Sequence, residues 1–129
     1  MASENPSKPL SSATTYELSH VEILNLVRLV EEQNSINAAF RLYQYYAFSK
    51  YDKNYMMYYL EFAAKNGHTI AQHNLSYLYL EQNKLDEAYI WALKAKNGGN
   101  KYSDSILYEI KKRKKHTVNT PPAKADSFE

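Results

Sequence analysis

The chain has 129 residues, of which 44% are hydrophobic and 23% charged, proportions that suit one globular domain. It contains no cysteine, which excludes a disulfide framework and a thiolate metal site. The formal net charge is +2, yet residues 17–110 carry nine Lys or Arg against eleven Asp or Glu. The basic excess therefore belongs to the C-terminal residues, and the mildly acidic body argues against a fold that binds nucleic acid.

Residues 1–15 are rich in Ser, Thr and Pro, which predicts a disordered N-terminal tail. They contain no apolar run behind basic residues, so no signal peptide is expected and the chain is predicted to be cytoplasmic. A leader removed from the natural chain would change that expectation. No run of about 18 apolar residues occurs anywhere, so no membrane span is expected.

Six helices follow from the apolar periodicity and the capping signals. The first begins at Ser19, which forms a capping-box pattern with Glu22, and ends near Gln33. The others are predicted over residues 36–49, 54–66, 69–82, 85–97 and 101–115. Gly67 is expected to end the third helix because glycine accepts the left-handed conformation. The helical domain is thus predicted over residues 16–115, and residues 116–129 are predicted to be a second disordered tail.

The second, fourth and sixth helices repeat one pattern of residues. Its copies are Asn34-Ser35-x-x-Ala38-x-x-x-Leu42-x-x-x-Tyr46, Gly67-His68-x-x-Ala71-x-x-x-Leu75-x-x-x-Tyr79 and Gly99-Asn100-x-x-Ser103-x-x-x-Leu107, which ends in Lys111. A spacing of four keeps each set on one helix face, where small residues allow close approach and Leu and Tyr fill the seam. A helix pair of this kind buries its apolar face only by stacking on its neighbours.

This pattern, together with Tyr59-x-x-x-Ala63-x-x-x-Gly67 and Trp91-x-x-x-Ala95-x-x-x-Gly99 on the intervening helices, resembles the Sel-one-like repeat, a relative of the tetratricopeptide repeat. The similarity covers residues 20–112 and is strongest over 56–99. The chain departs from the family pattern at four positions: Asn34 for glycine, Lys111 for tyrosine, and Tyr43 and Tyr108 where a small residue is favoured. The resemblance implies an all-α fold, a short right-handed α-solenoid of about six helices in antiparallel pairs, which binds other proteins and is not known for catalysis.

The resemblance also implies a binding surface, because in related tetratricopeptide folds the first helix of each pair lines a concave groove. By position, that groove consists of Phe40, Gln44, Phe48, His73, Tyr77, Glu81, Tyr102, Ser105 and Glu109. These residues lie about half a turn from the Ala-Leu-Tyr stripe, so packing within the array does not require them. The alternative for Phe40 and Phe48 is that they pack on the N-terminal helix.

Catalytic and metal-binding patterns are missing from the sequence. His68 and His73 are five residues apart, which does not suit a shared metal on one helix face, and His68 matches the turn residue Asn100. No nucleophile–base motif and no glycine-rich phosphate loop occurs. We therefore expect no enzyme, no catalytic residue, no cofactor, no metal and no small-molecule substrate.

A basic run closes the last helix and consists of Lys111, Lys112, Arg113, Lys114 and Lys115. Such a run can contact nucleic acid or an anionic surface. It also suits a helix C-terminus, where cations are favourable with the helix dipole and keep the helix soluble. No aromatic residue is interleaved to stack on bases, so the structural interpretation is preferred and nucleic acid is not the favoured partner.

The sequence thus favours a protein–protein interaction module that binds its partner through the concave face. A first alternative is a dedicated inhibitor, such as an immunity protein that neutralises a cognate bacterial toxin or effector. A second alternative is nucleic-acid or anionic-surface binding through the basic C-terminal helix. Homo-oligomerisation is a further one, because Ile106 and Ile110 on an uncapped last helix are expected to be exposed.

Overall fold

A computed structural model of the chain describes residues 15–119. Residues 1–14 and 120–129 of the predicted tails lie outside this range. Six α-helices and no strand occur between residues 20 and 119: α1 His20–Gln33, α2 Ile36–Phe48, α3 Lys53–Lys65, α4 Thr69–Glu81, α5 Leu85–Asn97 and α6 Ser103–Asn119. The predicted all-α class with six helices is therefore confirmed. Most helix ends lie within two residues of their predicted positions, whereas α6 extends to Asn119, beyond its predicted end at 115.

The chain divides into two compact units, Met1–Ala71 and Gln72–Glu129. In the first unit α1 packs on α2, and α2 packs on α3. In the second unit α5 packs on α6, and Leu80 near the end of α4 joins their shared core. Consecutive helices therefore pack as neighbours within each unit, as helices joined by short turns are expected to do.

Side-chain caps fix the starts of the first three helices. The Ser19 hydroxyl accepts from the Glu22 N–H at 3.1 Å, and the Glu22 carboxylate accepts from the Ser19 N–H at 2.9 Å, which confirms the predicted capping box. The hydrogen bond from the Ser19 backbone lowers the pKa of Glu22. Ser35 and Asp52 cap α2 and α3 in the same way, through the N–H groups of Ala38 and Tyr55.

Residues in the left-handed conformation follow α1, α3, α4 and α5. Gly67 and Gly99 have φ angles of 98° and 99°, as expected for glycine after a helix. Asn34, which replaces the glycine of the repeat pattern, has φ of 52°, and Asn83 has φ of 58°. Asparagine tolerates this region better than other residues with a side chain, so the departure at Asn34 preserves the geometry of the turn.

The Ala and Leu positions of the predicted packing stripe are buried in the first two copies of the pattern, where Leu42 and Leu75 are both 0% exposed, and the tyrosines are half-buried. In the third copy Ser103 is fully buried but Leu107 is only half-buried. The expectation that Ile106 and Ile110 are exposed is wrong, since they are 6% and 1% exposed. Spaced three and seven residues after Ser103, they form the face of α6 that packs against α5 and the end of α4.

Candidate functional site

His68 organises the start of α4. Its Nδ1 accepts a hydrogen bond from the Ala71 N–H at 3.1 Å, which satisfies a donor that the helix itself leaves unpaired. Its ring stacks on Phe40 with 4.1 Å between centroids, and burial lowers its pKa. Asn100 makes a related bond in the turn before α6, where its side-chain oxygen accepts from the Tyr102 N–H at 2.9 Å. The match between His68 and Asn100 in the repeat pattern therefore reflects a shared role at the turn.

Phe40 and Phe48, two of the predicted groove residues of the first unit, belong to an aromatic cluster. Phe40 is half-buried, with its ring 5.3 Å from that of Tyr43. Phe48 lies 5.1 Å from Tyr16 and 6.1 Å from Tyr43, although 48% of it stays exposed. Phe48 thus packs on the segment before α1, whereas Phe40 packs on Tyr43 and His68. The third residue of this set, Gln44, is half-buried on α2.

Arg41 holds the segment before α1 in place. Its guanidinium donates to the backbone carbonyls of Tyr16 and Glu17, both at 3.2 Å. This anchor positions Tyr16 against Phe48, so the contact is made by the segment preceding α1 rather than by α1 itself.

His73 joins α4 to α6 in the second unit. Its Nδ1 lies 3.1 Å from the hydroxyl of Ser103, which is fully buried, and burial lowers the pKa of the half-buried imidazole. Its ring also lies 6.4 Å from that of Tyr102. The expectation that packing leaves His73 free is therefore wrong, because Ser103 replaces the alanine of the pattern and supplies a polar partner.

The remaining predicted residues of the second unit are mostly open to solvent. Tyr77 and Tyr102 are 48% and 64% exposed, and Glu81 and Ser105 are exposed as well. The Ser105 hydroxyl donates to the Tyr102 carbonyl at 2.9 Å, within the first turn of α6. We call the surface formed by Tyr77, Glu81, Tyr102 and Ser105, with His73 among them, the tyrosine face.

Arg113 in the basic run has a structural role. Its Nη1 donates to the Leu80 carbonyl at 2.9 Å and to the Asn83 side chain at 3.5 Å, and its Nε donates to Glu109 at 2.9 Å. Arg113 therefore adds a second donor to a carbonyl that already accepts from the Asn83 N–H, and it also occupies Glu109, which was predicted to bind a partner.

The lysines of the basic run divide into two kinds. Lys114 forms an ion pair of 2.8 Å with Asp86 in the first turn of α5. At this position the Asp86 carboxylate also interacts favourably with the positive end of the helix dipole. Lys111, Lys112 and Lys115 are exposed and form no ion pair within residues 15–117. Part of the predicted basic patch thus belongs to the fold, and three of its charges face solvent.

Sequence reasoning missed a groove between α5 and α6. It has a volume of about 740 Å³ and is lined by Tyr89, Leu93, Lys96, Leu107, Ile110, Lys111, Lys114 and Lys115. The available signal was Lys111, which stands where the first two copies of the pattern have tyrosine. A lysine at a seam position indicates that the seam opens to water there.

Among residues 15–119, no group of three or more His, Asp or Glu side chains lies close enough to hold a metal ion. None of the helices in this range is both long enough and apolar enough to cross a bilayer.

The described residues define an all-α protein of packed helix pairs that exposes tyrosines on α4 and α6. The chain belongs to the same family as the uncharacterized protein YibG of Escherichia coli strain K12. The two are 34% identical over 119 residues, and the match covers 87% of this chain and 77% of YibG. No family model matches the chain, and no solved structure matches it.

Proposed function

We propose that this protein binds a partner protein through the tyrosine face of α4 and α6. The observation that carries the proposal is the exposure of Tyr77 and Tyr102. They are 48% and 64% exposed and do not belong to the buried core. Tyrosine is enriched at protein interfaces because its ring buries apolar area while its hydroxyl forms hydrogen bonds. Glu81 and Ser105 supply polar groups beside the two rings.

The tyrosine face is held rigid by hydrogen bonds between its two helices. The contact of His73 with Ser103 joins α4 to the start of α6, and the bond from Arg113 to the Leu80 carbonyl joins the end of α4 to the middle of α6. A surface fixed in this way loses little side-chain and backbone freedom when a partner binds. This preorganisation supports a recognition role.

The resemblance to Sel-one-like repeats supports the same proposal, since that family is known for binding proteins. The basic run gives less support to nucleic-acid binding, because Arg113 bonds the Leu80 carbonyl and Lys114 forms an ion pair with Asp86. A nucleic-acid site would leave most of its cations available to phosphates.

Site-specific photo-crosslinking in the native host tests the proposal. A benzophenone amino acid replaces Tyr77 or Tyr102 in two variants and Tyr108 in a third. Tyr108 is the matched control, because it is 70% exposed on α6 but lies about 140° around the helix from Ser103, the residue that contacts His73. We expect a discrete cross-linked protein from positions 77 and 102 and a much weaker one from position 108.

The pattern of cross-links also separates the two protein-binding roles. One dominant partner would support a dedicated inhibitor or immunity protein, whereas several partners captured at the same two positions would support an adaptor. Equal cross-linking at all three positions, or none at positions 77 and 102, would contradict the proposed face.

A further inference from the structure

The groove between α5 and α6 lies where the repeat pattern expects a covered seam. Leu107 holds the place that Leu42 and Leu75 hold in the earlier copies, and both of those are 0% exposed. Leu107 is half-buried and lines the groove with Leu93. Within residues 15–119 no further helix follows α6 to cover these side chains. The groove therefore has the character of an unfilled helix-packing position.

The rim of this groove is positively charged. Lys96 and Lys114 take part in ion pairs of 2.9 and 2.8 Å with carboxylates of α6 and α5. Lys111 and Lys115 line the groove with no such pair within residues 15–117. An occupant that matches this surface is a helix with an apolar stripe and acidic side chains beside it.

Helix α1 of the chain has these properties. Val21 and Leu24 are 65% and 55% exposed, one turn apart. Glu31 and Glu32 are exposed near the end of the same helix. At 100° per residue, these four side chains fall within an arc of about 100°, so they share one face.

The dimensions of α1 and the groove also agree. Leu24 and Glu32 are about 12 Å apart along α1, and Leu107 and Lys115 are also about 12 Å apart along α6, at 1.5 Å per residue. An apolar contact and a charge contact can therefore form together along one helix.

We infer that the groove between α5 and α6 binds α1 of a second copy of this chain. Val21 and Leu24 cover Leu93 and Leu107, and the glutamates at the end of α1 lie against Lys111 and Lys115. The two contacting surfaces differ, so the interface is heterologous. In a dimer, one copy has a free α1 and the other has a free groove, so association continues beyond the dimer.

Sedimentation velocity of the full chain tests this association. We expect the weight-average sedimentation coefficient to rise across a micromolar-to-millimolar series and to pass the value for a dimer. The rise should diminish at high salt, because the contact between glutamates and lysines is screened. A chain that stays monomeric over the whole series at low salt would overturn the inference.

Two surface variants and one control identify the interface. Lys111→Glu with Lys115→Glu alters the groove, and Val21→Gln with Leu24→Gln alters α1. Each variant alone should associate at least about tenfold more weakly than the unaltered chain. The control, Lys50→Glu with Lys112→Glu, makes the same change of charge outside the groove lining and should associate like the unaltered chain.

Mixing the two surface variants gives the sharpest result. The groove variant keeps an intact α1 and the α1 variant keeps an intact groove, so the mixture should form a one-to-one dimer that grows no further. A mixture that stays monomeric, or a control variant that dissociates, would refute the interface. Tyr77 and Tyr102 are unchanged in all these variants, so this test fails or succeeds independently of the proposed partner-binding face.

Discussion

His68 contributes to stability in two ways that substitutions can separate. Its Nδ1 caps α4 through the Ala71 N–H at 3.1 Å, and its ring stacks on Phe40 at 4.1 Å. A lost N-cap costs about 0.5–2 kcal/mol, and a lost ring pair costs about 0.5–1.5 kcal/mol. We therefore expect His68→Ala to lower the free energy of unfolding by about 1–3 kcal/mol.

Two further variants divide this loss. His68→Asn keeps a side-chain acceptor for the Ala71 N–H and should lose only the stacking contribution of about 0.5–1.5 kcal/mol. His68→Phe keeps an aromatic ring and should lose only the cap. Urea unfolding followed by circular dichroism measures all three values.

The contribution of His68 also depends on pH. Burial lowers its pKa below the ordinary value of 6.5, so the folded state favours the neutral ring whose Nδ1 can accept the cap hydrogen bond. This contribution is complete above pH 6.5 and is lost as the pH falls through the lowered pKa. Burial lowers the pKa of His73 too, so His73 adds a change in the same direction.

Unfolding at about pH 7.5 and about pH 5 completes the test, and the chain should be less stable at the lower pH. The difference between the two pH values should shrink, without vanishing, in His68→Asn. If His68→Ala were as stable as the unaltered chain at both pH values, the capping role would be refuted.

Three other substitutions follow from the same geometry, and urea unfolding measures each of them. Leu75→Ala should cost about 2–5 kcal/mol because Leu75 is fully buried, whereas Tyr77→Ala should change stability by no more than about 0.5 kcal/mol; the reverse order would show that the helix face is misassigned. Arg113→Ala should cost about 1–3 kcal/mol by removing its charged hydrogen bonds to the Leu80 carbonyl and to Glu109, and an equal loss in Lys112→Ala would show that only charge matters. Asn34→Ala should cost about 1–2 kcal/mol because Asn34 is left-handed, and Asn34→Gly should cost less; equal losses would contradict a conformational cause.

The helix order and most helix ends could be predicted because their signals are local. The capping box of Ser19 and Glu22 and the glycine at position 67 each act within a few residues of the helix end that they fix. The stripe of Leu42 and Leu75 follows from a spacing of four on one helix. Such features depend on the backbone conformation of single helices, which the sequence specifies directly.

Contacts between distant residues could not be predicted. Arg113 bonds a carbonyl 33 residues away, and His73 meets a serine 30 residues away. Both contacts depend on how α4 and α6 approach each other. The core face of α6 was only partly predicted, because the repeat pattern marks Ser103 and Leu107 whereas Ile106 and Ile110 complete the core. Within residues 15–119 no helix follows the last copy of the pattern to cover its seam.

Titration calorimetry measures directly whether the tyrosine face recognises a partner protein. The cross-linked partner is titrated with the unaltered chain, with Tyr77→Ala combined with Tyr102→Ala, and with Tyr51→Ala combined with Tyr108→Ala. Tyr51 and Tyr108 are 67% and 70% exposed, so the second pair removes comparable surface elsewhere. We expect a loss of affinity of about 30-fold or more for the first pair and an unchanged affinity for the second. Unchanged affinity after loss of Tyr77 and Tyr102, with both variants folded, would contradict partner binding through the tyrosine face.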